Sequence, residues 1–344
     1  MSKELYQNLD GLRGYACLGV VLMHVFANGN YGLRGFVFEQ LVPSFTNFTY
    51  LFMVLSAFSM CCGYYEKFSS GQMDLERFYC RRYKRIWPVF ALLCTIELIV
   101  DHNLNSLYEW FADITLAFGL ISNHKISVVG VGWFLGVVFV FYMLFPFFVF
   151  LLRNQKRAWL MMFATIILNV LCQLRFEESI GRANFIFSAM FFGVGGIIYL
   201  YRERLQEVRL QRMFLFTTML TIIFYYFVNG SDYTMLILFS LIVIDGIMSS
   251  GRIAVALFQN KIIKYFGSVS MEVYLCHMFV YRVIERLNLK NVLSNEILNY
   301  VLIAIVTIAG SVILAVALKK FAQLVENLLK KVECEKLSYE NING

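Results

Sequence analysis

Apolar runs of nearly bilayer length follow one another along the whole chain, and their recurrence limits the fold more than any other feature. They cover residues 12–26, 46–65, 86–100, 110–121, 133–152, 158–174, 184–201, 213–228, 233–248, 269–284 and 298–318. A hydrocarbon core about 30 Å thick is crossed by roughly 17 or more apolar residues in a helix. Within it every backbone N–H and C=O must be satisfied inside the segment, so runs of this kind become helices. No soluble-looking block of domain size separates them. With 59% hydrophobic and 15% charged residues and a mean hydropathy of +0.65, the composition excludes a soluble enzyme. The sequence predicts an all-α fold, a polytopic transmembrane helical bundle, with a membrane domain over residues 1–320 and a C-terminal tail over 321–344.

Charge sets the topology. The run 110–121 is short and carries Asp113. If it does not cross and the N-terminus is cytoplasmic, the basic loops 76–85, 153–157, 202–212 and 252–264 and the tail from Lys319 all face the cytoplasm, as the Lys/Arg bias requires. If it crossed, every basic loop after it would lie outside. The expectation is therefore about ten spans in the cytoplasmic (inner) membrane. Both termini would be cytoplasmic, and 110–121 would form a re-entrant or interfacial helix between spans 3 and 4.

This placement accounts for the net charge of +7 through membrane orientation, and no nucleic-acid motif accompanies it, so no nucleic-acid partner is expected. Asp10 and Arg13 precede a long apolar run that no small-x-small site closes, so the first helix is expected to be retained rather than cleaved. Residues 319–331 read as an amphipathic charged helix and 332–344 as a polar tail. The eight cysteines lack metal-ligand spacing and read as small buried hydrophobes, and no metal is expected. No internal repeat supports an inverted-repeat transporter.

The chemistry begins in the first run. His24 lies eleven positions after Arg13. On a helix this is within about 20° of three full turns and about 16 Å of rise, so the two share a face. A cation stands at the membrane edge and a proton-transfer group near mid-depth. Arg13 also fits simple anchoring of a cytoplasmic helix end, and His24 a polar contact inside the bundle, although intramembrane ionisable groups are functional by default. Arg82 and Arg85 lie three apart in the basic run before the third span, which gives two guanidinium forks suited to phosphate, or to anionic lipid headgroups. Late in the chain Tyr274 and His277 are again i,i+3 neighbours, as fit for an interhelical polar contact as for catalysis. Glu97 and Asp245 are intramembrane carboxylates, either of which can accept a histidine ring N–H. His102 and His124 fall in outer loops.

Together these stretches resemble the acyltransferase-3 family of integral membrane acyltransferases. Leu9-Asp10-Gly11-Leu12-Arg13-Gly14, with His24 in an Arg-x10-His spacing, is similar to the family's first helix. Leu51-Phe52-Met53-Val54-Leu55-Ser56-Ala57-Phe58 is similar to its Phe-Phe-x-x-Ser-Gly-Phe element, with Ala57 in place of glycine. Arg82-Tyr83-Lys84-Arg85 matches Arg-x-x-Arg, and Trp133-Phe134-Leu135 through Tyr142 and Pro146 matches the Trp-Phe-Leu span. The stretch from Ser270 to His277 is similar to Ser-Tyr-x-x-Tyr-Leu-x-His, with Met271 replacing the first tyrosine.

The resemblance implies transfer of an acyl group, usually acetyl, from cytoplasmic acyl-CoA to a hydroxyl of an extracytoplasmic cell-surface glycan or lipid-linked glycan. The esterase-like domain that many members carry after the membrane part is not expected in these 344 residues. On this reading Arg82 and Arg85, with Arg13, bind the CoA phosphates. His24 takes the proton of the attacking hydroxyl, with His277 and Tyr274 as further catalytic candidates. A glycan or lipid transporter would use the same charges to line a path, without an acyl donor.

Overall fold

The computed structural model describes residues 6–100, 104–116, 130–176, 180–207, 211–289 and 292–343, and among these there are helices and turns but no strand. The first helix, α1 (Gln7–Gly29), is followed by a π turn (Val37–Leu41), a single α turn α2 (Val42–Ser44) and a 3-10 turn (Phe45–Asn47) that lead into α3 (Phe48–Ser69). Next come α4 (Leu75–Val100), α5 (Leu104–Ile114), a 3-10 turn (Gly130–Gly132) and α6 (Trp133–Leu152). The chain continues through α7 (Gln155–Arg175), α8 (Phe185–Glu207), α9 (Gln211–Phe227), α10 (Asp232–Met248), α11 (Arg252–Phe258) and α12 (Lys261–Ser268), and ends with α13 (Ser270–Arg286) and α14 (Glu296–Asn343). Side-chain caps fix several starts: Asn154 accepts from the N–H groups of Lys156 and Arg157, Ser231 from Thr234 and Asn260 from Ile263.

Among the described residues six helical stretches are long and apolar enough to cross a membrane: Gln7–Gly29, Val37–Ser69, Gly130–Leu152, Gln155–Arg175, Phe185–Leu205 and Glu296–Leu324. The other runs counted as spans in the sequence fall short for visible reasons. Helices α9, α10 and α13 have 17 residues each, and α13 carries Glu272, Arg282, Glu285 and Arg286. Helix α4 begins with a basic stretch and holds Glu97 near its end. The tail read as polar is helical to Asn343, in one helix of 48 residues with the last span. Of the described cysteines, Cys62 and Cys80 are exposed rather than buried, while Cys17, Cys61, Cys94, Cys172 and Cys276 fit the expectation.

Only part of the run 110–121 lies within the described residues. Helix α5 folds back along α4: the Trp110 indole donates to Thr95 Oγ1 at 3.1 Å and the Trp87 indole to the Ile114 carbonyl at 2.9 Å. Asp113 is fully buried.

Helix α1 is the centre of the bundle, packed by α3, α10, α12, α13 and α14. Its two motif glycines explain how short helices can lie against it. A Cβ on Gly11 would strike the Phe258 carbonyl, and one on Gly14 the Ile263 carbonyl. The departure at Ala57 is compensated from the facing helix, because Gly195 of α8 comes so close to Val54 and Ala57 that a Cβ there would collide with both. The tight approach is made, with the glycine on the other partner.

The two ends of the bundle differ in charge. At the end holding Asn8 and Asp10, Asn8 bonds the carbonyls of Gly246 and Ser249, Lys264 donates to Gln7 and Lys319 pairs with Glu272. Tyr79 of α4 bonds the Met143 carbonyl midway along α6, Trp159 near the start of α7 bonds Tyr201 near the close of α8, and Tyr199 bonds Glu66 beside Arg202. The basic loops thus gather at one end.

Candidate active site

Two cavities approach each other inside the bundle. The one nearer the basic end, about 160 Å³, is lined by Arg13, Arg85, Ser56, Tyr142, Met271 and Tyr274 among others. The other, about 380 Å³, opens at the opposite end and is lined by His24, Thr49, Trp133, Arg182, Arg282 and Tyr274. Tyr274 belongs to both, so its ring is part of the wall between them. That ring is fixed on two sides: its hydroxyl donates to the Val131 carbonyl at 2.9 Å, and Phe134 meets its face edge-on at 5.4 Å.

Arg13 sits where α1 leaves the basic end. It donates to Asp10 at 2.5 Å, to Ser59 Oγ and to the Leu55 carbonyl, so its charge is compensated and its fork is held. On its other side is a further cavity of about 480 Å³ lined by Tyr6, Cys62, Glu66, Tyr199 and Arg202. Arg85 shares the inner cavity with Arg13 and is exposed, with no hydrogen bond or ion pair to another described residue. Arg82 is arranged differently. It donates to the Tyr64 hydroxyl at 2.7 Å and to Met60 Sδ at 3.5 Å, and stacks 4.9 Å from the Tyr64 ring centroid and 5.8 Å from that of Tyr142. It lines a separate cavity with Tyr79, Tyr83 and Phe139, on the far side of Tyr142 from Arg85. The shared helix face of the two arginines does not become one shared cavity.

His24 and His277 come from opposite ends of the sequence and meet, with ring centroids 5.0 Å apart. His277 is fully buried in α13, and its Nδ1 donates to the Tyr274 carbonyl at 2.5 Å. A carbonyl can only accept, which fixes the proton on Nδ1 and leaves a lone pair on Nε2, buried and without a partner. His24 is the member of the pair that lines the cavity. The carboxylates singled out in the sequence are engaged elsewhere: Glu97 forms an ion pair with Arg282, and Asp245 accepts from Thr218 at 2.5 Å. His102 and His124 lie outside the described residues.

A chamber beside a free arginine, a fixed tyrosine wall and a histidine pair beyond it suit a group passed from one end of the bundle to the other. A family model for an acyltransferase domain matches residues 6–316. The chain belongs to the acyltransferase-3 family. No curated protein and no solved structure matches it. In this membrane acyltransferase the matched region takes in every element that lines the two cavities. Among the described residues no group of three or more His, Cys, Asp and Glu side chains is placed to hold a metal ion.

Sequence reasoning missed two of the cavity's cations. Arg182 lies in a short connection, where it looks like an ordinary loop residue. Arg282 sits in the last turns of α13, where a basic residue needs no explanation beyond the helix dipole. Two basic residues flanking apolar runs on one side were the available signal, but only tertiary structure turns them toward His24.

Proposed function

We propose that the protein transfers an acyl group, acetyl in the first instance, from cytoplasmic acyl-CoA to a hydroxyl of an extracytoplasmic cell-surface glycan, free or lipid-linked. The observation that carries this reading is the pair of cavities meeting at Tyr274, with Arg85 on one side and His24 on the other. The Lys/Arg bias assigns the basic end to the cytoplasm, and with it both termini and about ten crossings, α9, α10, α13 and the apolar part of α4 included.

The donor enters from the basic end. Its phosphates lie at Arg85, whose fork is unspent, with Arg13 held beside it by Asp10 and Ser59. The pantetheine arm runs inward and brings the thioester to the level of Tyr274. The acceptor hydroxyl comes from the other end, and His24 takes its proton as the oxygen attacks the thioester carbonyl. The new C–O bond forms, the C–S bond breaks, and the proton goes on to the departing thiolate, so the balance is acyl-CoA plus alcohol to ester plus CoA. His277 acts behind His24: its Nε2 lone pair can receive a ring N–H from His24 and keep the opposite nitrogen turned to the cavity. Tyr274 serves as the wall, and its hydroxyl is committed to Val131.

The test is to incubate purified protein in lipid with radiolabelled acetyl-CoA and extracted envelope glycans. Label should appear in the glycan as a base-labile ester, with free CoA released in equal amount. Movement of glycan across the membrane without thioester consumption would instead identify a transporter.

A further inference from the structure

We propose that the acceptor carries an anionic group, a carboxylate or a phosphate, close to the hydroxyl that is acylated, and that Arg182 binds it. This inference rests on the acyl-transfer reading above and specifies its acceptor.

The outer cavity holds two guanidinium groups and, among its described lining residues, no acidic side chain. The two cations are not equivalent. Arg282 is compensated by Glu97, a carboxylate only 2% exposed on the neighbouring α4. Arg182 has no carboxylate within ion-pair distance among the described residues. It donates to Thr46 Oγ1 at 3.1 Å and lies 5.3 Å from the Trp133 ring centroid.

A guanidinium stacked on an indole keeps its edge free and pre-oriented, which suits bidentate contact with a carboxylate or phosphate. The charge also matters to the proposed chemistry. A cation with no carboxylate partner among the described residues repels a second positive charge formed nearby, as His24 acquires when it accepts a proton. An acceptor that brings a negative charge to Arg182 removes that repulsion at the moment of attack, whereas a neutral acceptor leaves it in place. The cavity is therefore matched to an acidic sugar or to a sugar beside a phosphodiester.

Binding tests this without acyl transfer. The full chain in nanodiscs of zwitterionic lipid, so that no anionic headgroup occupies the arginine, is titrated with a hexuronic tetrasaccharide and with its carboxyl-reduced form. A parallel pair is a methyl phosphodiester of glucose and neutral methyl glucoside. At least one anionic probe is expected to bind about tenfold or more tightly than its neutral counterpart. The pair that shows the preference tells carboxylate from phosphate. Arg182→Gln should abolish the preference and Arg182→Lys should keep part of it. Arg204→Gln, which alters an arginine near the Tyr201 ring at the other end of α8, should leave it intact. If neither pair discriminates, or if the preference survives Arg182→Gln, the proposal is overturned. If the preference holds but labelled acetyl-CoA yields no ester, it is the transferase reading that fails. A fall in kcat on Arg182→Gln that is equal for charged and neutral acceptors would assign the arginine to the developing oxyanion and sink the acceptor site.

Discussion

His24 and His277 both lie inside the helical bundle, and what holds each of them separates their roles. His277 is locked by the Tyr274 carbonyl and sealed from the cavity, while His24 faces the space where an acceptor would lie. His24→Ala is therefore expected to lower kcat by about 10²–10⁴-fold with the KM for acyl-CoA little changed, and His277→Ala to leave measurable turnover. Steady-state kinetics on both variants check this; near wild-type kcat in His24→Ala would move the base to His277. The arginines divide in the same way. Arg85→Ala should raise the KM for acyl-CoA about ten- to a hundredfold, the cost of one charge-assisted phosphate contact. Arg82→Ala should act mainly on stability, seen as a lower midpoint in thermal unfolding, because both of its terminal guanidinium nitrogens are engaged by Met60 and Tyr64. An unchanged donor KM in Arg85→Ala would leave that run as an orientation signal alone. At this scale the sequence was legible within a helix and illegible between helices. The Arg13 and His24 spacing follows from 1.5 Å per residue, but nothing in residues 13–24 shows that His277 lies against His24 or that Tyr142 stands between Arg82 and Arg85.

The pairing of Glu97 with Arg282 ties α4 to α13 across the wall of the outer cavity. Removing one partner of a buried ion pair leaves an uncompensated charge and costs about 3–5 kcal/mol. Glu97→Ala should then lower thermal stability sharply, and the double variant Glu97→Ala with Arg282→Met should recover part of the loss; additive losses in that cycle would mean that the pair is not coupled. Hydropathy found the long apolar helices because bilayer thickness leaves little choice of length or composition. The runs that became α9, α10 and α13 were found by hydropathy as well, but their helices have 17 residues each and α13 carries four charged side chains, so length and composition alone do not make them spans. The glycine displaced from position 57 to Gly195 on the facing helix makes the same point. Close packing fixes the sum of two surfaces, and a single strand of sequence displays one of them.

The whole molecule has a basic end and an end where α1 closes at Gly29 and α10 begins at Asp232. Single cysteines introduced at Arg85 and Arg204 are expected to resist an impermeant reagent applied outside intact cells, and those at Arg182 and Asn229 to react; strong outside labelling at 85 or 204 would reverse the orientation. The expected orientation rests on loop charges alone, since each Lys/Arg-rich connection must choose one side, and the labelling decides it. The Tyr274 wall has an electrical consequence in that orientation. Water filling both cavities would conduct, and the membrane voltage would then fall mostly across the thin layer of protein around one aromatic ring. A charge shifting inside either cavity would cross almost none of the potential, whereas a charge passing the ring would cross nearly all of it, about 2.3 kcal/mol per elementary charge at 100 mV. Turnover in polarised vesicles would thus respond to voltage in proportion to the net charge that passes Tyr274, which makes that residue the place where the chemistry would be coupled to the energised state of the membrane.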